Sequence, residues 1–151
     1  MRACVLLLAL ILPCFCDNNH SPNLRLINKD EINKQFFPDE LKPKTVWAKF
    51  VDIIPPDNGG TFGDLITNPR QNGDSLLLRD VALLPNMYSD EQNFLWLGQL
   101  NGRIITSVRV LNFGRHRAYT RRIDIAGPNA QVIFGVMPLN DPRLLIEVYG
   151  F

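Results

Sequence analysis

Residues 103–151, RIITSVRVLNFGRHRAYTRRIDIAGPNAQVIFGVMPLNDPRLLIEVYGF, alternate in polarity with a period of two. Ile104, Thr106, Val108 and Val110 fall on one side of the first run, and Ser107 and Arg109 on the other. Asn112-Phe113-Gly114 breaks the run, and the pattern resumes from Tyr119 with Ile123 and Ile125 in step. Gly127-Pro128-Asn129 breaks it again before Val132, Phe134 and Val136. After residues 138–142, Leu144, Ile146 and Val148 alternate with Glu147 turned outward. An amphipathic helix needs a period near 3.6, and no gap here is long enough to hold one. Four short runs of period two between Gly, Pro and Asn clusters read as a half-buried antiparallel meander of four strands.

Upstream, residues 45–54 (TVWAKFVDII) are rich in β-branched and aromatic side chains and stop at Pro55-Pro56, which marks another strand. Residues 75–84 and 93–100 read the same way, and Asn101-Gly102 has the composition of a two-residue hairpin turn. Trp47, Trp96 and Phe134 sit inside apolar runs and are expected in the core. The fold expected is all-β: a single antiparallel β-sandwich or partly closed barrel of seven to nine strands. Ahead of it, residues 17–44 read as an arm that packs on a β domain of residues 45–151. Leu24, Leu26 and Ile27 suit a short edge strand there. Residues 28–37 suit one or two helical turns, with Asp30 and Glu31 near the start and Pro38 at the stop.

Residues 1–16, MRACVLLLALILPCFC, carry one cation (Arg2), an apolar run, Pro13, and small residues Cys14 and Cys16 at the end. This is the layout of a secretory signal peptide cut after Cys16. The apolar run is well short of the ~20 residues that a spanning helix needs, and Phe15 before Cys16 argues against lipidation of that cysteine. Cleavage removes all three cysteines, Cys4, Cys14 and Cys16, so the secreted chain relies on its core and not on disulfides. It also removes one of sixteen basic residues, leaving fifteen against fifteen acidic ones. A neutral chain has no overall pull toward nucleic acid or anionic membrane. Asn19-His20-Ser21 is a glycosylation sequon just past the cut, so Asn19 is the candidate acceptor.

Four constellations suggest chemistry. Gly73-Asp74-Ser75-Leu76 spells the short signature of the GDSL hydrolases, with Ser75 as nucleophile. A serine needs a base to take its proton, and past the leader the histidines are His20 in the arm and His116 between two strands. Neither stands in that family's Asp-x-x-His spacing, and the alternating strand and helix pattern of its fold is missing. Residues 57–64 resemble a calcium loop but have Phe62 where Gly is required and Asn68 where a bidentate Glu is required. With no mature cysteine and two distant histidines, no structural zinc site is expected. Arg115, His116, Arg117, Arg121 and Arg122 form a basic cluster with Phe113 and Tyr119 between them. The sharp reading is an anion, glycan or nucleic-acid patch, with Arg115, Arg117 and Arg122 as the candidate surface contact. The plain reading, a hairpin tip whose alternate residues face water, is favoured because Arg121 and Arg122 point to opposite faces of a strand. The carboxylate pairs Asp39-Glu40 and Asp90-Glu91 fall in expected loops and read as solvated. No catalytic residue, cofactor or metal is expected.

The order of four short motifs resembles the small insect secretory proteins grouped under multiprotein bridging factor two. The motifs are Asn72-Gly73-Asp74-Ser75-Leu76-Leu77; Ile105-Thr106-Ser107-Val108-Arg109-Val110-Leu111-Asn112; Ala118-Tyr119 ahead of a strand ending at Gly127; and Ile146-Glu147-Val148-Tyr149-Gly150. They span about half the chain. Departures are the reduction of a Gly-Gly-x-Gly motif to Gly127-Pro128-Asn129, a longer segment 18–69, and Asn112 where the family has Asp. The resemblance implies a secreted, non-enzymatic protein linked to gut, salivary or immune responses, and it carries no catalytic residues to transfer. The family's founder was described as a transcriptional coactivator, which fits poorly with a leader peptide.

The function expected is therefore a secreted binding or defence-associated protein, acting on an unidentified protein or surface as a monomer or homodimer, without nucleic acid or a membrane span. A carrier of a small apolar ligand is the first alternative, to be favoured by an apolar cavity; a filled core favours surface recognition. Ester hydrolysis through Ser75 and nuclear coactivation are the others.

Overall fold

The computed structural model describes residues 23–37, 41–47, 64–84, 87–113 and 115–151. Nine strands form among them and no α-helix: β1 (Leu24–Ile27), β2 (Lys44–Trp47), β3 (Leu65–Ile66), β4 (Ser75–Leu83), β5 (Gln92–Gln99), β6 (Ile105–Asn112), β7 (Ala118–Ala126), β8 (Asn129–Val136) and β9 (Arg143–Gly150). They make two antiparallel sheets, one in the order β1-β5-β8-β7-β2 and the other in the order β3-β6-β9-β4. Each sheet keeps its own edges, so the molecule is a sandwich and not a barrel. Strands were expected at residues 75–84 and 93–100, and β4 and β5 are those strands. The strand expected over residues 45–54 is seen as β2; its later part lies outside the described residues.

The four C-terminal strands form where the alternation placed them, but they are not a meander. β7 and β8 pair with each other through the tight turn at Gly127 (φ 58°), while β6 and β9 pair with each other in the opposite sheet. Alternation reports that a segment is extended and half-buried; it does not report its partner. The same correction applies at Asn101-Gly102. The turn is real, with Gly102 at φ 74° and Arg103 N–H donating to Leu100 O at 3.0 Å. It carries the chain from β5 in one sheet to β6 in the other, so it closes no hairpin. A bulge between Ile105 and Ser107 then shifts the phase of β6. Ile105, Val108 and Val110 enter the core, and Ile104, expected in step with them, is 63 % exposed.

Apolar side chains from both sheets pack together between them. Phe94, Trp96, Ile123, Val132 and Phe134 from the five-stranded sheet meet Val108, Val110, Leu144, Ile146 and Val148 from the other. Phe94 and Phe134 stack with ring centroids 5.7 Å apart. Each such side chain removed from water contributes about 1.5–3 kcal/mol before chain entropy is subtracted. Trp47 is the exception among the expected core aromatics: it is 50 % exposed at the sheet edge, under the Arg122 guanidinium at 5.0 Å.

β1 and β2 lie at opposite edges of the five-stranded sheet, so the chain between them starts at one edge and ends at the other. It leaves β1 through a short 3-10 turn, Lys29–Glu31, where Asn28 N–H donates to Glu31 Oε2 at 3.0 Å. Ile32 and Phe36 then pack on Ile27, Leu95 and Ile133 on the sheet's outer face, a second small apolar cluster. Gln131, fully buried, fixes the segment with both ends of its amide. Its Oε1 accepts from Phe36 N–H at 3.0 Å, and its Nε2 donates to Lys34 O at 3.2 Å.

Candidate functional site

Six strands bring their loops to one end of the sandwich. There Leu139 N–H donates to Tyr88 O at 2.8 Å, Asp141 N–H donates to His116 Nδ1 at 3.0 Å, and Phe113 N–H donates to Arg143 O at 3.1 Å. His116 also forms an isolated bridge with Pro142. These bonds tie the loops after β4, β6 and β8 together. Large apolar side chains stand exposed on all three: Met87, Phe113, Met137 and Leu139. Leu139 is the most exposed, at 66 %, and its φ of 58° lies in the left-handed region, which costs a non-glycine residue about 1–2 kcal/mol. The bond from Leu139 N–H to Tyr88 O helps hold that conformation, so the backbone keeps an apolar side chain pointed at water.

Arg115 and Arg143 are exposed at this end, and Arg117 is half-buried. Arg122 is not among them. It stands in β7 on the sheet's outer face, opposite in phase to Ile123, and the arm covers it there, leaving it 2 % exposed. Its Nε donates to Asp124 Oδ1 at 2.9 Å, its Nη2 lies 2.7 Å from Asp124 Oδ2, and its Nη1 donates to Ile32 O at 3.1 Å. Thr45 Oγ1 adds a bond to Asp124 Oδ1 at 2.6 Å. The expected three-arginine patch is corrected to Arg115 and Arg117, because Arg122 holds the arm down.

Glu91 is not simply solvated as expected. Its Oε1 accepts from both the Tyr119 hydroxyl and Arg121 Nη2, and Arg121 Nη2 also donates to Tyr119 Oη at 2.6 Å. Tyr119 lies across Gly135, where an added Cβ would come within 2.6 Å of the ring. Burial and the bond to Glu91 push its phenol up to about 12, against the opposing pull of Arg121. Tyr119 therefore stays protonated as a hydrogen-bond donor at neutral pH.

Ser75 and His116 do not meet. Ser75 pairs with Gly150 at the far end of β9, its Oγ donating to Gly150 O at 3.4 Å, whereas His116 bridges Pro142 just before β9 begins. The eight residues of β9 separate them by roughly 25 Å at ~3.3 Å per residue. Asn72-Gly73-Asp74 is a turn feeding a strand, with Gly73 at φ 87° and Asp74 N–H donating to Gln71 O at 3.2 Å. The Asp74 carboxylate closes it, accepting from Arg70 Nε at 2.6 Å, Gln71 N–H at 2.9 Å and Thr106 Oγ1 at 3.1 Å. Burial pushes the Asp74 carboxyl up, and those bonds outweigh it and hold the group below the usual carboxylate range.

The leader 1–16, the sequon at Asn19, His20, Asp39-Glu40 and residues 57–63 lie outside the described residues. Among those described, no three His, Cys, Asp or Glu side chains gather where they could hold a metal ion, and no helix is long and apolar enough to cross a membrane. Of the exposed apolar set only Phe113 was noted in the sequence, beside the basic cluster; Leu139 sits inside a turn-forming cluster and Met137 at its edge, where an apolar residue has no core to enter. The chain matches no family model, no curated protein and no solved structure.

Proposed function

We propose that the chain is a secreted, non-enzymatic binding protein of the multiprotein-bridging-factor-two-like kind, which contacts a protein or cell-surface partner through the loop end of its sandwich. The observation that carries this reading is Leu139, held exposed in a left-handed conformation amid Met87, Phe113 and Met137. Backbone strain that turns an apolar side chain toward water is retained where the side chain has a task, and exposed apolar groups gathered at one end of a fold suit a contact site. Arg115 and Arg143 beside them suit an interface rim. The side chains packed through the middle of the sandwich favour surface recognition over carriage of an apolar ligand enclosed there. The roughly 25 Å between Ser75 and His116 weighs against ester hydrolysis through that pair.

A photo-crosslinking residue at position 139 tests the reading in the fluid into which the protein is secreted. A discrete adduct that disappears in a Phe113→Ser, Met137→Ser variant is expected; an adduct pattern unchanged by that variant overturns the reading. A tagged chain is expected in the culture medium, and retention inside the cell would favour the coactivator alternative. Purified wild type and Ser75→Ala are expected to show the same background rate on a generic ester.

A further inference from the structure

At the opposite end of the sandwich from these loops, a groove of about 420 Å³ opens between the sheets. Its floor is Ile105 and Ile125, the last core side chains at that end, where Ile105 N–H donates to Gly127 O at 3.0 Å and joins the two sheets. Above them stand Ile104 and Phe151, both exposed, whose backbones exchange hydrogen bonds at 3.2 and 3.1 Å. The far rim is polar. Lys44 from β2 reaches across to the segment after β3, and its Nζ donates to Asn68 Oδ1 at 2.6 Å. That partner is neutral, and among the described residues no carboxylate makes an ion pair with Lys44.

From this juxtaposition we infer that the groove is a binding site for a medium-chain anionic amphiphile, its carboxylate or sulfate head at Lys44 and its hydrocarbon tail along Ile104, Ile105, Ile125 and Phe151. The volume falls near the lower end of small-molecule pockets, which suits one short tail. A single ammonium beside an apolar trough selects for an anion with a tail over a neutral alcohol or a cationic surfactant. Each CH₂ laid against the trough strengthens binding about fourfold. The inference rests on the proposed function only in taking the chain to bind and not to react; it uses none of the residues at the loop end.

The test is titration of the full secreted chain with decanoate, decanol and decyltrimethylammonium below their micelle concentrations, followed by calorimetry and by amide NMR shifts. Saturable binding of decanoate is expected, with the largest shifts at Ile104, Ile105, Gly127 and Phe151. Lys44→Met is expected to weaken decanoate at least tenfold and to leave decanol unchanged. Ile104→Ser, a change at an exposed position that the fold tolerates, is expected to weaken both. Equal affinity for the anion and the cation, shifts confined to other regions, or an unchanged decanoate affinity in Lys44→Met would each overturn the site. The Phe113→Ser, Met137→Ser variant is expected to bind decanoate normally, and Lys44→Met to keep the crosslink from position 139, so either proposal can fail alone.

Discussion

Trp96 Nε1–H donates to Asp80 Oδ2 at 2.8 Å, a bond between the two sheets at the edge of their shared core. Trp96 is fully buried in β5, and Asp80 stands on β4, the edge strand of the other sheet. The bond meets the one polar need of the largest core side chain.

Asp80→Ala should therefore leave the indole N–H without that acceptor inside the core, at a cost of about 1–3 kcal/mol. Asp80→Asn keeps an acceptor and should cost less than half as much. Urea unfolding of both variants checks the order; equal losses would show that the bond carries no weight.

Gln131 should govern the arm in the same way. Gln131→Leu removes the acceptor for Phe36 N–H and the donor for Lys34 O, while leaving the sheet intact. Trypsin cleavage after Lys34 is expected to accelerate several-fold, with amide exchange rising at Ile32 and Phe36 and not in β6 or β9.

Asn112 makes a corner between the sheets that an acid could not make. Its Nδ2 donates to Asp64 Oδ1 at 2.8 Å and to Ala118 O at 3.0 Å, and its Oδ1 accepts from Ala118 N–H at 2.8 Å. Asn112→Asp loses both donations and sets a second carboxylate against Asp64, so the variant should lose about 1–3 kcal/mol or more at neutral pH. Like-charge repulsion raises a carboxyl's folded value above its unfolded one. The deficit should grow as pH rises through the ordinary carboxylate range and shrink in acid, which thermal melts across that range would reveal.

Glu147 gives the opposite pH dependence. Burial pushes its carboxyl up, but bonds from Arg79 (2.7 and 3.1 Å) and from the Tyr149 hydroxyl (2.9 Å), with the charges of Arg79 and Arg109, hold it below its ordinary 4.5. A depressed folded value means stability that is present above the ordinary value and lost as pH falls through the folded one. Glu147→Gln is expected to cost about 1 kcal/mol at neutral pH, a modest figure because Arg79 stands largely in water. The gap to wild type should close as pH falls below 4.5.

The extended segments were legible because alternation is a local property: Val132, Phe134 and Val136 announce a half-buried strand wherever its partner lies. The pairing of β6 with β9 was not legible, since the turn at Gly127 and the corner at Asn112 look alike in sequence while one closes a hairpin and the other changes sheets. Phase failed at Ile104 because a bulge inserts a residue that no period reveals. Arg122 keeps its phase opposite Ile123 and is buried by the arm, whose path over the sheet no alternation reports. At the candidate site the arginines drew notice by charge, whereas Leu139 and Met137 were hidden by their small number. Trp47 looked like core because an edge strand of a buried sheet carries the same residues as a central one.

β9 lies between β4 and β6, and its contact with Ser75 closes a loop of 75 residues. During synthesis the four-stranded sheet must therefore wait: β4 and β6 emerge with their hydrogen-bonding edges unmatched until β9 arrives to fill the place between them. Such a topology folds slowly and late, so a chain cut short anywhere before residue 143 has open strand edges, and shielding that intermediate becomes part of what the cell must supply for this protein to fold.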